Sequence, residues 1–392
     1  MTLILSLVSA CGTARPVATQ AELQTRLEKT TGGNEALYQL MLHRLRGRLE
    51  QELAAGRVPQ VNILTLSGGS EFGAFGAGFL HAWSQIPAGD PHAMPRFDLV
   101  TGISTGALIA PYALIGTTAA LSKVDDLYRE SKPAYAESRL WSFITGESGY
   151  YDITGLENII RTDLQTSVVP GLQALPDQDR MAMVATTDMD LGLLHLWDVR
   201  QEATSVDRLY AIQRAAIAIP GAFDPVEIDG SLHADAGVLI QFITISNPEM
   251  IASVMAEWNA AHPTTPARIR QWIIINNKSH EPLMTVQTGW TDSLPRSMAL
   301  MIKSGVIGPL TMITLQAALL RSQGFDVETR WMAIPSDLVV DPSLPPFDNR
   351  ITVPLSDLGR RWGARQDHWS TQPPRFIGRE ISDPVVEPAN AP

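Results

Sequence analysis

Gly102-Ile103-Ser104-Thr105-Gly106 is the stretch on which the reading of this chain turns. The apolar residues before it, Phe97 to Thr101, predict a strand, and those after it, Ala107 to Ile115, predict a helix. A serine at the tip of so sharp a strand-to-helix turn is forced into a strained backbone conformation. Glycine two residues to either side lets neighbouring chain pass close without a Cβ clash. The turn lifts the hydroxyl clear of the sheet and aims the following amides, with the positive end of the helix, at one point. A nucleophile in acyl transfer needs these things. The five-residue pattern is short, so its weight depends on the stretches around it.

Upstream, Val61 to Leu66 reads as a strand and runs straight into Ser67-Gly68-Gly69-Ser70-Glu71-Phe72-Gly73, followed by a small-residue helix from Ala74 to Trp83. Strand, glycine loop and helix together present backbone N–H groups to an anion. A nucleotide-phosphate loop is the competing reading, but neither G-x-G-x-x-G nor G-x-x-x-x-G-K-[ST] is present. Downstream the pattern predicts a helix near Leu156 to Gln165, strands at Met181 to Thr187 and Leu193 to Trp197, and a helix from Val206 to Ile217. Ser231 to Gly237 then carries Asp235-Ala236-Gly237, before a helix (Ile251 to Ala261) and a strongly apolar strand (Ile269 to Ile275). Strands alternating with helices predict an α/β fold with a mainly parallel sheet covered on both faces.

At 392 residues with 45% hydrophobic side chains, the chain can bury a sizeable core. A formal charge of -11, with no basic block, argues against nucleic acid as a partner. The single cysteine, Cys11, excludes an internal disulfide or a Cys-rich zinc site, and the eight histidines show no metal-binding spacing. No metal and no organic cofactor is expected. Ala21 to Ala55 has apolar residues at helical spacing and predicts one or two surface helices, broken near Gly32-Gly33 and stopped at Gly56. Thr105 to Leu121 holds no charge, yet it is short of the roughly 20 residues of a membrane span and contains Pro111, so it reads as a buried helix. Ser304 to Leu320 is a second uncharged run, for which a core helix and a membrane-facing helix both stay open.

The glycine loop, the serine elbow and the Asp-Ala-Gly turn, in this order, resemble the patatin-like phospholipases. Ala215-Ala216-Ile217-Ala218-Ile219-Pro220-Gly221-Ala222-Phe223-Asp224-Pro225-Val226 is similar to the family's segment before its catalytic aspartate, and the resemblance covers about residues 60 to 276. It implies a three-layer α/β sandwich around a mainly parallel sheet and a lipid acyl hydrolase working without a histidine. Carried over position by position, Ser104 is the nucleophile and Asp235 its base. Gly102 and Gly106 frame the elbow, and Ala236 and Gly237 complete the aspartate turn. The oxyanion loop is Gly68, Gly69, Ser70 and Gly73, with the Thr105 amide a further donor by the geometry of the elbow. Two motifs depart from the family pattern. Ser70 replaces the third glycine and Phe72 the basic residue of G-G-G-x-[RK]-G, and Ala236 replaces the glycine of D-G-[GA]. Loss of the loop cation bears on recognition of a phosphate headgroup.

Two rivals remain on the sequence. A Ser-Asp-His hydrolase would draw on His262, His280 or His368, while His233, two residues before Asp235, reads as a structural histidine beside the aspartate. A non-enzymatic lipid-binding protein is the other, with Phe72 its support.

The N-terminal residues Val8-Ser9-Ala10-Cys11 match a bacterial lipoprotein signal box, in which the cysteine is acylated and becomes the mature N-terminus. No Lys or Arg precedes Cys11 and the apolar segment is short, which a start site further upstream would explain. The expected organisation is a signal segment (1–11), a tether with helices (12–58), the hydrolase domain (59–340) and a partly irregular extension (341–392), loosest from Thr371. The expected place is the bacterial cell envelope, on a periplasm-facing membrane surface of the outer membrane, with a lipid or phospholipid as substrate.

Overall fold

The computed structural model describes residues 15–139, 149–176, 180–243, 248–278, 285–341 and 344–374. Cys11, His280 and the end of the C-terminal tail lie outside them. In chain order, helix α1 (Gln20–Ala54) precedes strand β1 (Gln60–Leu66), helix α2 (Gly73–Trp83), strand β2 (Leu99–Gly102) and helices α3 (Thr105–Ile115), α4 (Thr118–Arg129) and α5 (Thr154–Asp163). Strands β3 (Met181–Asp188) and β4 (Leu193–Asp198) lead to α6 (Val206–Ala216), β5 (Val226–Ile228) and β6 (Ser231–Asp235). Then follow α7 (Pro248–Ala261), β7 (Arg268–Lys278), α8 (Trp290–Ser322), β8 (Asp326–Ile334) and α9 (Asn349–Arg365).

The central sheet has the order β8-β7-β1-β2-β3-β6-β5, with β4 also paired to β3. The five strands β8, β7, β1, β2 and β3 are mutually parallel, and β4, β6 and β5 add antiparallel pairs at one end. Successive residues of a strand point to opposite faces, and here both faces are apolar. Leu64, Leu66, Val100, Ala182 and Val184 join the core under α2, α3 and α4. Val61, Ile63, Leu99, Met181 and Met183 join the core under α1, α7 and α8. That is why the strands read as continuous apolar runs, and it makes the fold a three-layer α/β sandwich.

Three expectations change in detail. Helix α1 runs unbroken through Gly32-Gly33. Each glycine costs about 1 kcal/mol against alanine, but anchors on both sides offset this. A capping box joins Thr19 and Glu22, Arg26 donates to the Gly230 carbonyl at 2.6 Å, and Leu37, Met41, Leu45 and Leu49 are buried. Helix α1 therefore shares the core that packs on the central sheet. The uncharged run from Thr105 is two helices, parted at Gly116, whose φ of 72° ends α3, and Thr117, whose side chain caps α4. The segment after residue 341 contributes α9, which lies so close to α2 that a side chain at Gly359 or Gly363 would strike the backbone at Phe75 or Phe79.

In the second uncharged run, α8 turns Val306, Leu310, Ile313 and Ala317 inward and leaves Met312, Leu315 and Leu319 exposed. Among the described residues no helix is long and apolar enough to cross a membrane.

Candidate active site

Ser104 stands between β2 and α3 with φ 53° and ψ -123°, a conformation that L-residues seldom adopt. The elbow is held by close backbone approach. A side chain at Gly102 would strike the Gly106 carbonyl, and one at Gly106 would strike the carbonyls of Leu66, at the end of β1, and of Ser67 just after it. Beside it, Thr105 pairs its hydroxyl with that of the buried Tyr128, whose phenol is pushed above its ordinary pKa by burial. Gly73 fits against this same pair, with no room for a Cβ.

The loop from Gly68 to Phe72 packs over the elbow. Gly68 lies against the Ser104 Cβ, and its amide donates to the Gln241 carbonyl at 3.3 Å. The Gly73 amide donates to carbonyls of Ser70 and Glu71. These two amides are therefore committed to holding the loop. Among the described residues, the amides of Gly69, Ser70 and Thr105 have no backbone acceptor. Ser70 has φ 51°, in the left-handed region that favours glycine, so the serine at this position carries backbone strain.

Asp235 ends β6 with its side chain buried, at 3% exposure. Its Oδ1 accepts the Gly237 N–H at 2.7 Å, while Oδ2 has no hydrogen bond of good geometry. Burial pushes this carboxyl up to about 6, and the neighbouring Ser104 hydroxyl and Gly237 amide act in the opposite sense. A carboxylate oxygen kept dry beside a hydroxyl, with its basicity raised, is suited to accept a proton. Ala236 is fully buried among apolar neighbours, which gives its methyl group a place in the turn.

Two cavities meet at Ser104. One is lined by apolar side chains such as Leu108, Tyr112, Leu156, Ile160 and Phe223. Its single charged lining residue is Asp163, buried and pushed up to about 6 by that burial. The other is wider and bordered by the loop, Phe72, Val238 and Leu239. An extended apolar chain and a more polar group could thus leave Ser104 in two directions.

Among the described residues, no histidine lines either cavity at Ser104. His233 is buried and its Nδ1 shares a 2.9 Å hydrogen bond with the Thr186 hydroxyl. His262 lies tilted against Trp258, and His368 stacks on Trp362.

Sequence reading missed Asn276, at the end of β7. Its Oδ1 accepts the Gly76 N–H at 3.1 Å, its Nδ2 donates to the Ser67 carbonyl at 3.1 Å, and its own amide donates to the Ser67 hydroxyl at 2.9 Å. It also missed Gln241, whose Nε2 donates to the Gly237 carbonyl at 2.9 Å while its carbonyl holds Gly68. Asn276 ties both ends of the loop to β7, and Gln241 ties its start to the aspartate side of the site. Nothing in the local pattern around either residue marks them, because their partners lie far away in the chain.

Compared with models of known protein families, residues 64–250 match Patatin, described as Patatin-like phospholipase. No curated protein matches the sequence.

Proposed function

Because residues 64–250 are a patatin-like phospholipase domain, we propose that the protein is a serine hydrolase that cleaves lipid acyl esters through Ser104 and Asp235 alone. The observation that carries this reading is the Asp235 carboxylate. It is buried, raised in pKa to about 6, and has an oxygen unengaged beside the strained Ser104.

In the proposed cycle Ser104 Oγ attacks the ester carbonyl carbon and its proton passes to Asp235 Oδ2. The carbonyl π pair moves onto oxygen, and the amides of Gly69, Ser70 and Thr105, with the positive end of α3, offset the new charge. Preorganised donors of this kind are worth roughly 3–4 kcal/mol each. Collapse of the intermediate breaks the bond to the leaving alkoxide, which takes the proton back from Asp235. Water then repeats the sequence on the acyl-enzyme and releases a fatty acid. An aspartate near its reference pKa of about 4 is a poor base at neutral pH. The dry surroundings of Asp235 narrow that gap, which supports a dyad without imidazole. The apolar cavity suits the acyl chain, and Phe72 at the wider mouth suits a substrate that requires no cation for its headgroup.

The Val8-Ser9-Ala10-Cys11 box supports a second part of the proposal, in which acylated Cys11 holds the enzyme to a membrane of the bacterial cell envelope. One acyl chain binds a bilayer only marginally, so stable anchoring requires more than one.

The experiment is turnover of chromogenic acyl esters and of mixed phospholipid and glyceride by purified protein, with fluorophosphonate labelling mapped by mass. Hydrolysis and a label on Ser104, both lost in Ser104→Ala, are expected. Labelled protein with no turnover of any lipid or ester would favour the lipid-binding alternative. Membrane fractionation and intact mass of wild type against Cys11→Ala test the anchor.

A further inference from the structure

We propose that Asp188, His195 and His233 form a binding site for one divalent transition-metal ion of the zinc class, set in the sheet beside the candidate active site. The three residues come from three strands. Antiparallel pairing sets Asp188 opposite His233 and Thr186 opposite both His195 and Asp235. Residues two apart on a strand, and residues directly opposite in an antiparallel pair, share a face. One ligand atom from each of the three side chains lies within 4.8 Å of the others.

Each of these side chains is oriented by a contact that leaves an atom for metal. The Asp188 Oδ1 accepts the N–H groups of Asp190 and Leu191, both at 3.0 Å, which leaves Oδ2. The His233 Nδ1 is committed to the Thr186 hydroxyl, which also accepts from the Trp197 indole at 2.9 Å, and this leaves Nε2. The His195 ring lies flat on Trp197 with centroids 3.9 Å apart, and its Nδ1 is buried with no hydrogen-bond partner. Buried nitrogens are rarely left without a partner. Metal-bound histidines commonly have their other nitrogen held by a neighbour, as Thr186 holds His233 here.

Two imidazoles and a carboxylate suit zinc, cobalt or nickel better than magnesium or calcium, which prefer oxygen. Three protein ligands leave a fourth position for water, and His195 is only half-buried, which gives an ion a way in. Metal–nitrogen bonds of about 2.0–2.1 Å in a tetrahedron set ligand atoms roughly 3.3 Å apart, so binding draws the three side chains inward by on the order of 1 Å. The ion would clamp β4 and β6 to β3. Strand β6 ends two residues later at Asp235, so the clamp bears on the base of the proposed reaction without touching it.

The test uses the full chain, stripped with a chelator and desalted, then equilibrated with Co2+ in one arm and Zn2+ in the other. Bound metal per chain, Co2+ d–d absorption and the thermal midpoint are read. One ion per chain, a visible Co2+ spectrum with nitrogen ligation, and a midpoint raised by Zn2+ are expected for wild type and for His262→Ala. All three should be lost in His195→Ala and in the near-isosteric Asp188→Asn, with folding of each variant checked by circular dichroism. Wild type that retains no ion, or that retains no more than the folded variants, overturns the site. None of these readouts depends on ester hydrolysis.

Discussion

The backbone carbonyl of Asn276 fills the space that a side chain at Gly69 would need, at the loop position whose amide has no backbone acceptor. The end of β7 therefore sets how closely the loop can approach the elbow. Gly69→Ala should displace the loop and lower kcat by about 10²–10³-fold, the typical cost of losing one oxyanion donor, with a smaller change in KM. Initial-rate kinetics on a chromogenic ester measure both. A Gly69→Ala variant with wild-type kcat would remove the loop from the mechanism.

Asn276→Ala removes the acceptor for the Gly76 amide and the donor to the Ser67 carbonyl, both buried. Leaving buried polar groups unpaired costs about 1–3 kcal/mol each. The variant should unfold at lower denaturant and lose activity through the loop, seen as a fall in kcat larger than the rise in KM. Denaturant titration together with kinetics separates the two effects.

Ser104→Ala and Asp235→Ala should each abolish turnover, and the double variant should cost little more than either, because the two act as a unit. A folded Asp235→Ala enzyme that kept more than about a tenth of the rate would contradict the dyad, since a general base is typically worth 10²–10⁴-fold. The base must be ionised to work. With its pKa raised to about 6, kcat/KM should rise with pH through that region and level off above it. A profile flat from pH 4.5 to 8 would count against Asp235 as the base.

The same shift has a consequence for stability. Burial raises the folded pKa of Asp235 from 3.8 to about 6, so the folded state holds the proton more tightly than the unfolded chain. The favourable contribution is complete below pH 3.8 and is lost as pH rises to about 6. Asp235→Asn cannot ionise and should be more stable than wild type at pH 8, by up to about 3 kcal/mol at 1.36 kcal/mol per pKa unit. That advantage should vanish near pH 4. Urea midpoints at the two pH values decide it, and equal differences at both would refute the assignment.

Ser70→Gly replaces a side chain held at φ 51° by the residue for which that conformation is free of strain. A gain of about 1 kcal/mol in stability is expected, with ester hydrolysis retained because the amide stays in place. A lower thermal midpoint would show that the Ser70 side chain contributes more than its strain costs.

Phe72→Arg restores a cation at the wider mouth of the site, where Phe72 packs half-buried against the core. The variant should lose some stability and shift preference toward anionic phospholipid over neutral ester, by about tenfold or more if the contact is partly desolvated. Competition between the two substrate classes reads the shift. A wild type that already favours phospholipid a hundredfold would refute the role given to Phe72.

The sequence by itself determined the strand, turn and helix at the glycine loop and at the serine elbow, and the turn at Asp235, because these depend on local rules. Apolar runs bounded by glycine mark buried parallel strands, and the spacing around Ser104 and Asp235 is a matter of a few residues. It also determined that the sheet is covered on both faces, since strands without alternation cannot lie against water. It misjudged Gly32-Gly33, where propensity predicted a break and the burial of Leu37, Met41 and Leu45 on the core outweighed it. Tertiary structure alone decided which amides are free, because Gly68 is held by Gln241, 173 positions away along the chain. It alone brought Asn276 to Gly76 and set Asp188, His195 and His233 within reach of one another. The basicity of Asp235 belongs to the same class. Its pKa is set by water excluded from around the carboxyl, and that exclusion exists only once distant segments have packed over it.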